Sequence, residues 1–533
     1  MHVTVGGFLK DSDDQVVCLA ATPGRRIQSG ARLHDPTGGR VRPGDAGRAF
    51  PLPQDARPSI MLFHSLDYIL FLAVAVAGFW ALIRHDRWRL LFLFLMSCRF
   101  YMVWNPYYVG LVLSNIVIDY VVQRRIAATD DARRRKAWLG LSLAWNLGAL
   151  GLFKYFNFFV GAAADSLGFL GLDVPRPYLA VLLPVGISFY TFQTMSCVID
   201  VYRRRAPPAQ SLLHYATYLL YFPHLVAGPI VRGHLLLPQL LTRPALTPEM
   251  VGQALFLILK GLLKKVVIAD FLSVNLVDRM FDNPSAFTSL EVLVALYAYT
   301  MQIYCDFSGY TDVARGSAML MGFTLPENFD RPYLSTSPAA FWRRWHMTLS
   351  SWLRDYVYFP LGGSKGSPFR TYFNLWLTLF LIGIWHGASW NFVIYGALHG
   401  GAMVVHRFFY KRSGRNKDTR DAVWLTVLKI AATFHFVVLS RILFRSPSLG
   451  AAGMVTSQLF KGTTSMAQVP WTVWAVLLVS FAIHWSPKRL MGIARDLFVG
   501  LPAPAQGLVL AIAGVVMMKM SSSQVVPYIY FQF

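Results

Sequence analysis

The chain has 533 residues, 55% of them hydrophobic and 14% charged, with a mean hydropathy of +0.43 and a formal net charge of +23. That balance excludes an ordinary soluble domain and points to an all-α polytopic membrane protein, whose backbone polar groups are satisfied inside each span. Nor does the positive charge mark a nucleic-acid binder, because the basic residues fall in short clusters between apolar stretches, as the positive-inside rule requires.

Residues 1–60 stand apart, rich in Gly, Pro, Arg and Asp, with eight basic and six acidic residues and no hydrophobic signal-peptide core. They read as a disordered basic extension, and 61–533 as the membrane domain. From Met61 onward apolar stretches recur at 65–83, 90–104, 108–123, 137–153, 178–195, 211–230, 251–268, 288–304, 372–405, 422–444, 471–484 and 505–520. Several are shorter than the ~20 residues that cross a hydrocarbon core, so tilted and re-entrant segments are expected among roughly ten to twelve crossings. Basic clusters at Arg84 to Arg89, Arg124 to Lys136, Arg203 to Arg205, Lys260 to Lys265, Lys411 to Arg420 and Lys488 to Arg489 read as the connections facing the cytoplasm. Cys18, Cys98, Cys197 and Cys305 have neither disulfide nor metal spacing, and no metal site is expected.

Two regions carry the chemistry. The first, 302–363, interleaves aromatic residues with Asp306, Ser308, Asp312, Arg343, Trp345, His346 and Ser350, as an interfacial amphipathic segment would. On a continuous helix Arg343 and His346 would share a face. The second is the stretch between Arg370 and Arg407, which has no Asp, Glu, Lys or Arg and is broken by Trp385, His386, Gly387, Ser389, Trp390 and Asn391. At about 1.5 Å per residue His386 lies deep in the membrane, where an ionisable group is a functional-site hypothesis by default. The Gly362 to Ser367 stretch lacks P-loop spacing and reads as a flexible loop.

The string from Gln302 to Gly363 resembles the membrane-bound O-acyltransferases. So do Pro184 to Gln193, Tyr221 to Pro229, Lys260 to Lys265, the Trp385-His386-Gly387 triplet and the terminal Tyr530 to Phe533. The likeness is to the bacterial branch that holds the alginate O-acetylation proteins and the teichoic acid D-alanyl transfer proteins, and it covers 61–533. It implies a ring of tilted helices around a thin catalytic centre, where a cytoplasmic funnel meets a tunnel from the other side. It also makes His386 the invariant histidine and His346 the second, more variable position. Further implications are an acetyl-CoA or other thioester donor, no bound cofactor, an SGNH-type periplasmic acyltransferase as partner and an extracytoplasmic polysaccharide as final acceptor. The place implied is the bacterial inner membrane.

Acyl transfer to a hydroxyl requires removal of the O–H proton as the thioester carbonyl is attacked, and an imidazole with an unperturbed pKa of ~6.5 suits that step. No carboxylate occurs between Asp355 and Asp418, so the group that orients His386 is distant, Asp306 or Asp312, or neutral, Ser389, Asn391 or a backbone carbonyl. His346 is assigned to donor positioning or proton relay. Asp306, Ser308, Asp312, Arg343, Trp345, Trp385, Ser389 and Asn391 complete the expected substrate-binding set. Two rivals remain: the same machinery working on a D-alanyl donor or on a lipid or protein acceptor, and a transporter without chemistry. Transporters often carry internal repeats, and the chain shows none.

The loop Arg84 to Arg89 sets the start of the first span outside, an orientation that a 60-residue polar extension opposes. The expectation is therefore a natural start at Met61. N-terminal sequencing of the protein from its host checks this, and a peptide from before Met61 refutes it.

Overall fold

The computed structural model describes residues 61–414, 421–520 and 526–529. The reading of 1–60 and the terminal Tyr530 to Phe533 motif lie outside them. The described residues are helical with no strand, in keeping with an all-α membrane protein.

Three helices, Ala132–Phe169, Val423–Arg445 and Ala503–Met520, are long and apolar enough to cross a membrane, and Leu66–Ala81 and Trp471–Trp485 are apolar but shorter. The expectation of ten to twelve crossings is therefore not met by length and hydropathy alone. The reason is visible in the longest unbroken α-helix, Ser289–Leu320, whose 32 residues reach about 48 Å. It buries Gln302, Asp306, Ser308, Thr311 and Asp312 against other helices, so its hydropathy is low although little of it meets solvent. Its start is fixed by a capping box, in which Thr288 accepts from the Glu291 amide and the Glu291 side chain accepts from the Thr288 amide. Ala503–Met520 is the opposite case, apolar between Gln506 and Lys519 at its two ends and with no buried residue, as a lipid-facing helix requires.

The Ser289–Leu320 helix sits at the centre because small residues let neighbours reach its backbone. A Cβ at Gly261 would lie 2.6 Å from the Gly309 carbonyl oxygen, one at Gly309 would lie 2.7 Å from that of Gly261, and one at Gly316 would lie 2.6 Å from that of Ala254. The Pro248–Leu262 helix thus runs backbone to backbone along it and continues as a wide π-turn over Leu263–Asp270. This corrects the reading of Lys260 to Lys265 as a connecting loop. These lysines lie within a helix, with Lys265 fully buried, because the partner helix supplies carboxylates at the matching height.

A second close pair consists of Pro368–His386 and Trp390–Arg412, joined by a tight link at Gly387 to Ser389. A Cβ at Gly396 would stand 2.5 Å from the Phe380 carbonyl oxygen and one at Gly400 would stand 2.8 Å from that of Trp376. The hairpin is locked along its length.

Adding a branched side chain at the first crossing should separate it. Gly309→Val is expected to lower stability by about 1–3 kcal/mol, measured as thermal midpoint in detergent. Gly110→Val, where a Cβ meets open space, should leave the midpoint unchanged.

Candidate active site

His386 is the last residue of the Pro368–His386 helix and is buried. The helix stops there because Gly387 turns to extended backbone, φ −166°, and the Phe392 ring packs onto Gly387 where any Cβ would sit. Chain direction then reverses and Ser389 takes the N-cap position of Trp390–Arg412. The histidine therefore stands at a helix break inside the protein, its ring against Trp385, Phe392, Tyr395 and Phe444 at centroid distances of 5.0, 6.4, 6.3 and 5.0 Å. Its backbone end is held from the side, since Lys154 Nζ donates to the carbonyls of Trp385 at 2.6 Å and of His386 at 3.1 Å.

His346 comes from a different break. The helix Pro338–Trp342 ends, His346 adopts a left-handed conformation at φ +44°, and a new helix runs from Met347 to Leu353. Arg343 and His346 therefore do not share a helical face, contrary to the sequence expectation. Arg343 is exposed, whereas His346 is fully buried. The left-handed backbone is over-determined by its partners. Asn328 Oδ1 accepts from the Thr348 amide at 3.1 Å and the Thr348 hydroxyl at 2.9 Å, and Asn328 O accepts from the Met347 amide at 3.0 Å. An amide must donate, so the atom facing His346 Nδ1 at 3.2 Å is the Asn328 oxygen. Nδ1 therefore carries a proton, which in the neutral form of the ring leaves the lone pair on Nε2.

Trp385 joins the two histidines. Its ring lies 5.7 Å from His346 and 5.0 Å from His386, on a floor formed by Phe189 and Phe192. The structure thus brings His346, Trp385 and His386 together. Trp345 is buried beneath Arg441, whose guanidinium carbon stands 4.7 Å over its ring and 5.3 Å from Phe444. Arg441 in turn reaches Phe444, the ring beside His386. Asn391 donates to the Ser446 carbonyl at 2.7 Å and ties the hairpin to Val423–Arg445.

The remaining expected residues form a separate, charged group on the Ser289–Leu320 helix. Lys265 Nζ lies 2.7 Å from both Asp306 and Asp270, and Asp306 also accepts from the Ile529 amide at 2.8 Å. Lys264 Nζ is 2.7 Å from Asp312 and 3.1 Å from Ser308, and Lys260 Nζ is 3.1 Å from Asp312. Asp306 and Asp312 are therefore occupied by lysines. Ser308 and Asp312, with Lys260, Lys264, Arg315 and Arg331, line a cavity of about 460 Å³ whose wall also includes Asn328, the residue that holds His346. Among the described residues no group of His, Cys, Asp or Glu could hold a metal ion.

Lys154, Asn328 and Arg441 were missed by sequence reasoning. Arg441, a cation inside the 422–444 apolar stretch, carried a usable signal, and so did Lys154, which directly follows the 137–153 stretch; Asn328 carried none. The Gly-x-Ser-x-Gly spacing at Gly362 to Gly366 falls in an exposed turn, with Ser364 Oγ bonded to Tyr358 and Arg407. It is not the strand-to-helix elbow of a serine nucleophile.

Comparison with known proteins finds relatives of this sequence. The sequence profile of the membrane-bound O-acyltransferase family matches residues 203–444. A probable alginate O-acetylase of Pseudomonas aeruginosa is 38% identical over 414 residues, 77% of each chain. A peptidoglycan O-acetyltransferase of Helicobacter pylori is 34% identical over 74% of this chain and 79% of its own. A teichoic acid D-alanyltransferase of Bacillus subtilis is 32% identical over 52% of this chain and 75% of its own.

Lys265→Met would leave the buried Asp270 and Asp306 without their cation. A loss of about 3–5 kcal/mol is expected, seen as reduced accumulation and a lower thermal midpoint, whereas Arg343→Ala should leave both unchanged.

Proposed function

Because the chain belongs to the membrane-bound O-acyltransferase family and is by that membership an acyltransferase, we propose that it moves an acetyl group from a cytoplasmic thioester across the membrane for O-acetylation of an extracytoplasmic polysaccharide. The observation that carries this reading is the placement of His386 and His346 against the same Trp385 ring, at two helix breaks inside the protein. In this proposal the fold is a ring of roughly ten to twelve tilted and re-entrant helices in the bacterial inner membrane, thin at that centre.

The reaction follows from the residues. The acceptor hydroxyl approaches His386, whose ring takes its proton as the oxygen attacks the thioester carbonyl. The tetrahedral intermediate collapses, the carbon–sulfur bond breaks, and the thiolate leaves with the proton returned by the imidazolium. His346, with its lone pair on Nε2, positions the donor or relays that proton. The aromatic surround of His386 excludes water, which would otherwise compete as acceptor. The cavity beside Lys260, Lys264, Arg315 and Arg331 suits the anionic part of a donor such as acetyl-CoA, with Ser308 and Asp312 setting its wall. Asp306 keeps the lysine face in place from behind. A periplasmic acyltransferase of the SGNH type would then receive the ester.

An acetyl donor is favoured over D-alanyl because the O-acetylating relatives match three quarters of the chain and the D-alanyl relative about half. The test is alkali-labile acetate on the surface polysaccharide of the native host, in a deletion strain complemented with wild type or with His386→Ala at equal membrane levels. Wild type should restore acetate and His386→Ala should not. Equal restoration by both removes His386 from the mechanism, and restoration by neither removes the acetyl-transfer reading.

A further inference from the structure

We propose that Lys154, together with Tyr155, is a positioning residue for His386: the pair closes the buried carbonyl end of the Pro368–His386 helix and so sets where the imidazole is presented. The inference rests on the role given to His386 above. The last four carbonyls of any α-helix have no partner within it, and here the helix ends at two buried residues, Trp385 and His386. Tyr155 Oη donates to Ile384 O at 3.0 Å, and Lys154 Nζ donates to Trp385 O at 2.6 Å and His386 O at 3.1 Å. Three consecutive orphan carbonyls, ending on the histidine itself, are thereby satisfied by two adjacent side chains.

The source of those side chains is unusual. Both lie in a π-turn, Gly151–Tyr155, within the Ala132–Phe169 span. Neighbouring side chains diverge by about 100° on a regular α-helix, whereas here two in succession reach the same helix end. Wide turns of this kind occur frequently at functional sites. Among the described residues the ammonium has no carboxylate partner: besides the two carbonyls it meets Ser188 Oγ at 3.5 Å. A cation inside a span is costly. What this one meets is the negative end of a helix macrodipole, with its charge 5.8 Å from the Trp385 ring centre.

The full chain, purified in lipid nanodiscs, is compared as wild type, Lys154→Met and Lys154→Arg. The first readout is the rate at which diethyl pyrocarbonate acylates His386, followed by peptide mass spectrometry with His406 and His484 as internal standards. Lys154→Met should change the His386 rate by about fivefold or more while the standards hold, and Lys154→Arg should regain it. The second readout is surface acetate in the complemented deletion strain, expected to fall about 10- to 100-fold with Lys154→Met and to return with Lys154→Arg. A Met-specific change at His386 or in acetate that Arg regains supports the assignment. No change in either readout, a shift shared by all histidines, or a loss that Arg does not regain overturns it. If Lys154→Met fails to accumulate, Tyr155→Phe, which removes only the donor to Ile384, is read by the same criteria. The reagent rate needs no acetyl transfer, so it separates failure of this clamp from failure of the proposed activity.

Discussion

A helix that stops inside a protein, away from water, leaves carbonyls that must find donors or force the helix to continue. The Pro368–His386 helix stops in that way, and the site depends on how the problem is solved. Gly387 allows the stop because a Phe392 ring fills the space of its missing side chain. Lys154 and Tyr155 supply the donors. Ser389 and Asn391 restart the chain and anchor it to the next helix. The result is an imidazole at a backbone break rather than on a regular helix face, next to a second histidine held in an equally irregular conformation. The left-handed backbone at His346 is held by the bonds that the Asn328 side chain and carbonyl accept from Met347 and Thr348, which is how a protein keeps strained backbone in place.

Around that centre the interior is polar in a way that hides the fold from hydropathy. The Ser289–Leu320 helix buries Asp306 and Asp312 along its length as well as Glu291 in its first turn, and the neighbouring helix carries the lysines that meet the two aspartates. In a low-dielectric surround such carboxylates are held as ion pairs. Each is then satisfied, and the helices that carry them look too polar to cross a membrane when read one at a time. Close glycine contacts bring the two backbones near enough for short side-chain reach.

How much of this was legible follows from the same physics. His386 could be read because a charge-free run makes a single polar break conspicuous, and the helical class followed from composition. His346 was found through the resemblance, but its geometry was not: nothing in the Arg343 to Ser350 string announces a left-handed residue, since that conformation is imposed by Asn328, 18 residues upstream. Asp306 and Asp312 were recognised as important, with two roles left open. The structure places them with lysines because Lys260, Lys264 and Lys265 sit one helix away, a proximity that depends on Gly261 and Gly309 fitting together. Lys154 was passed over because it closes an apolar stretch, where a cation reads as a flank.

The bond from the Ile529 amide to Asp306 spans 223 residues of sequence, and it orders events during synthesis. Lys265 and Asp306, 41 residues apart, leave the ribosome long before Ile529 exists. The pair of helices can therefore meet first, with one Asp306 oxygen still awaiting its final donor. The segment around Ile529 then closes an interior already in place, so the polar centre is completed only after residue 529 has been made.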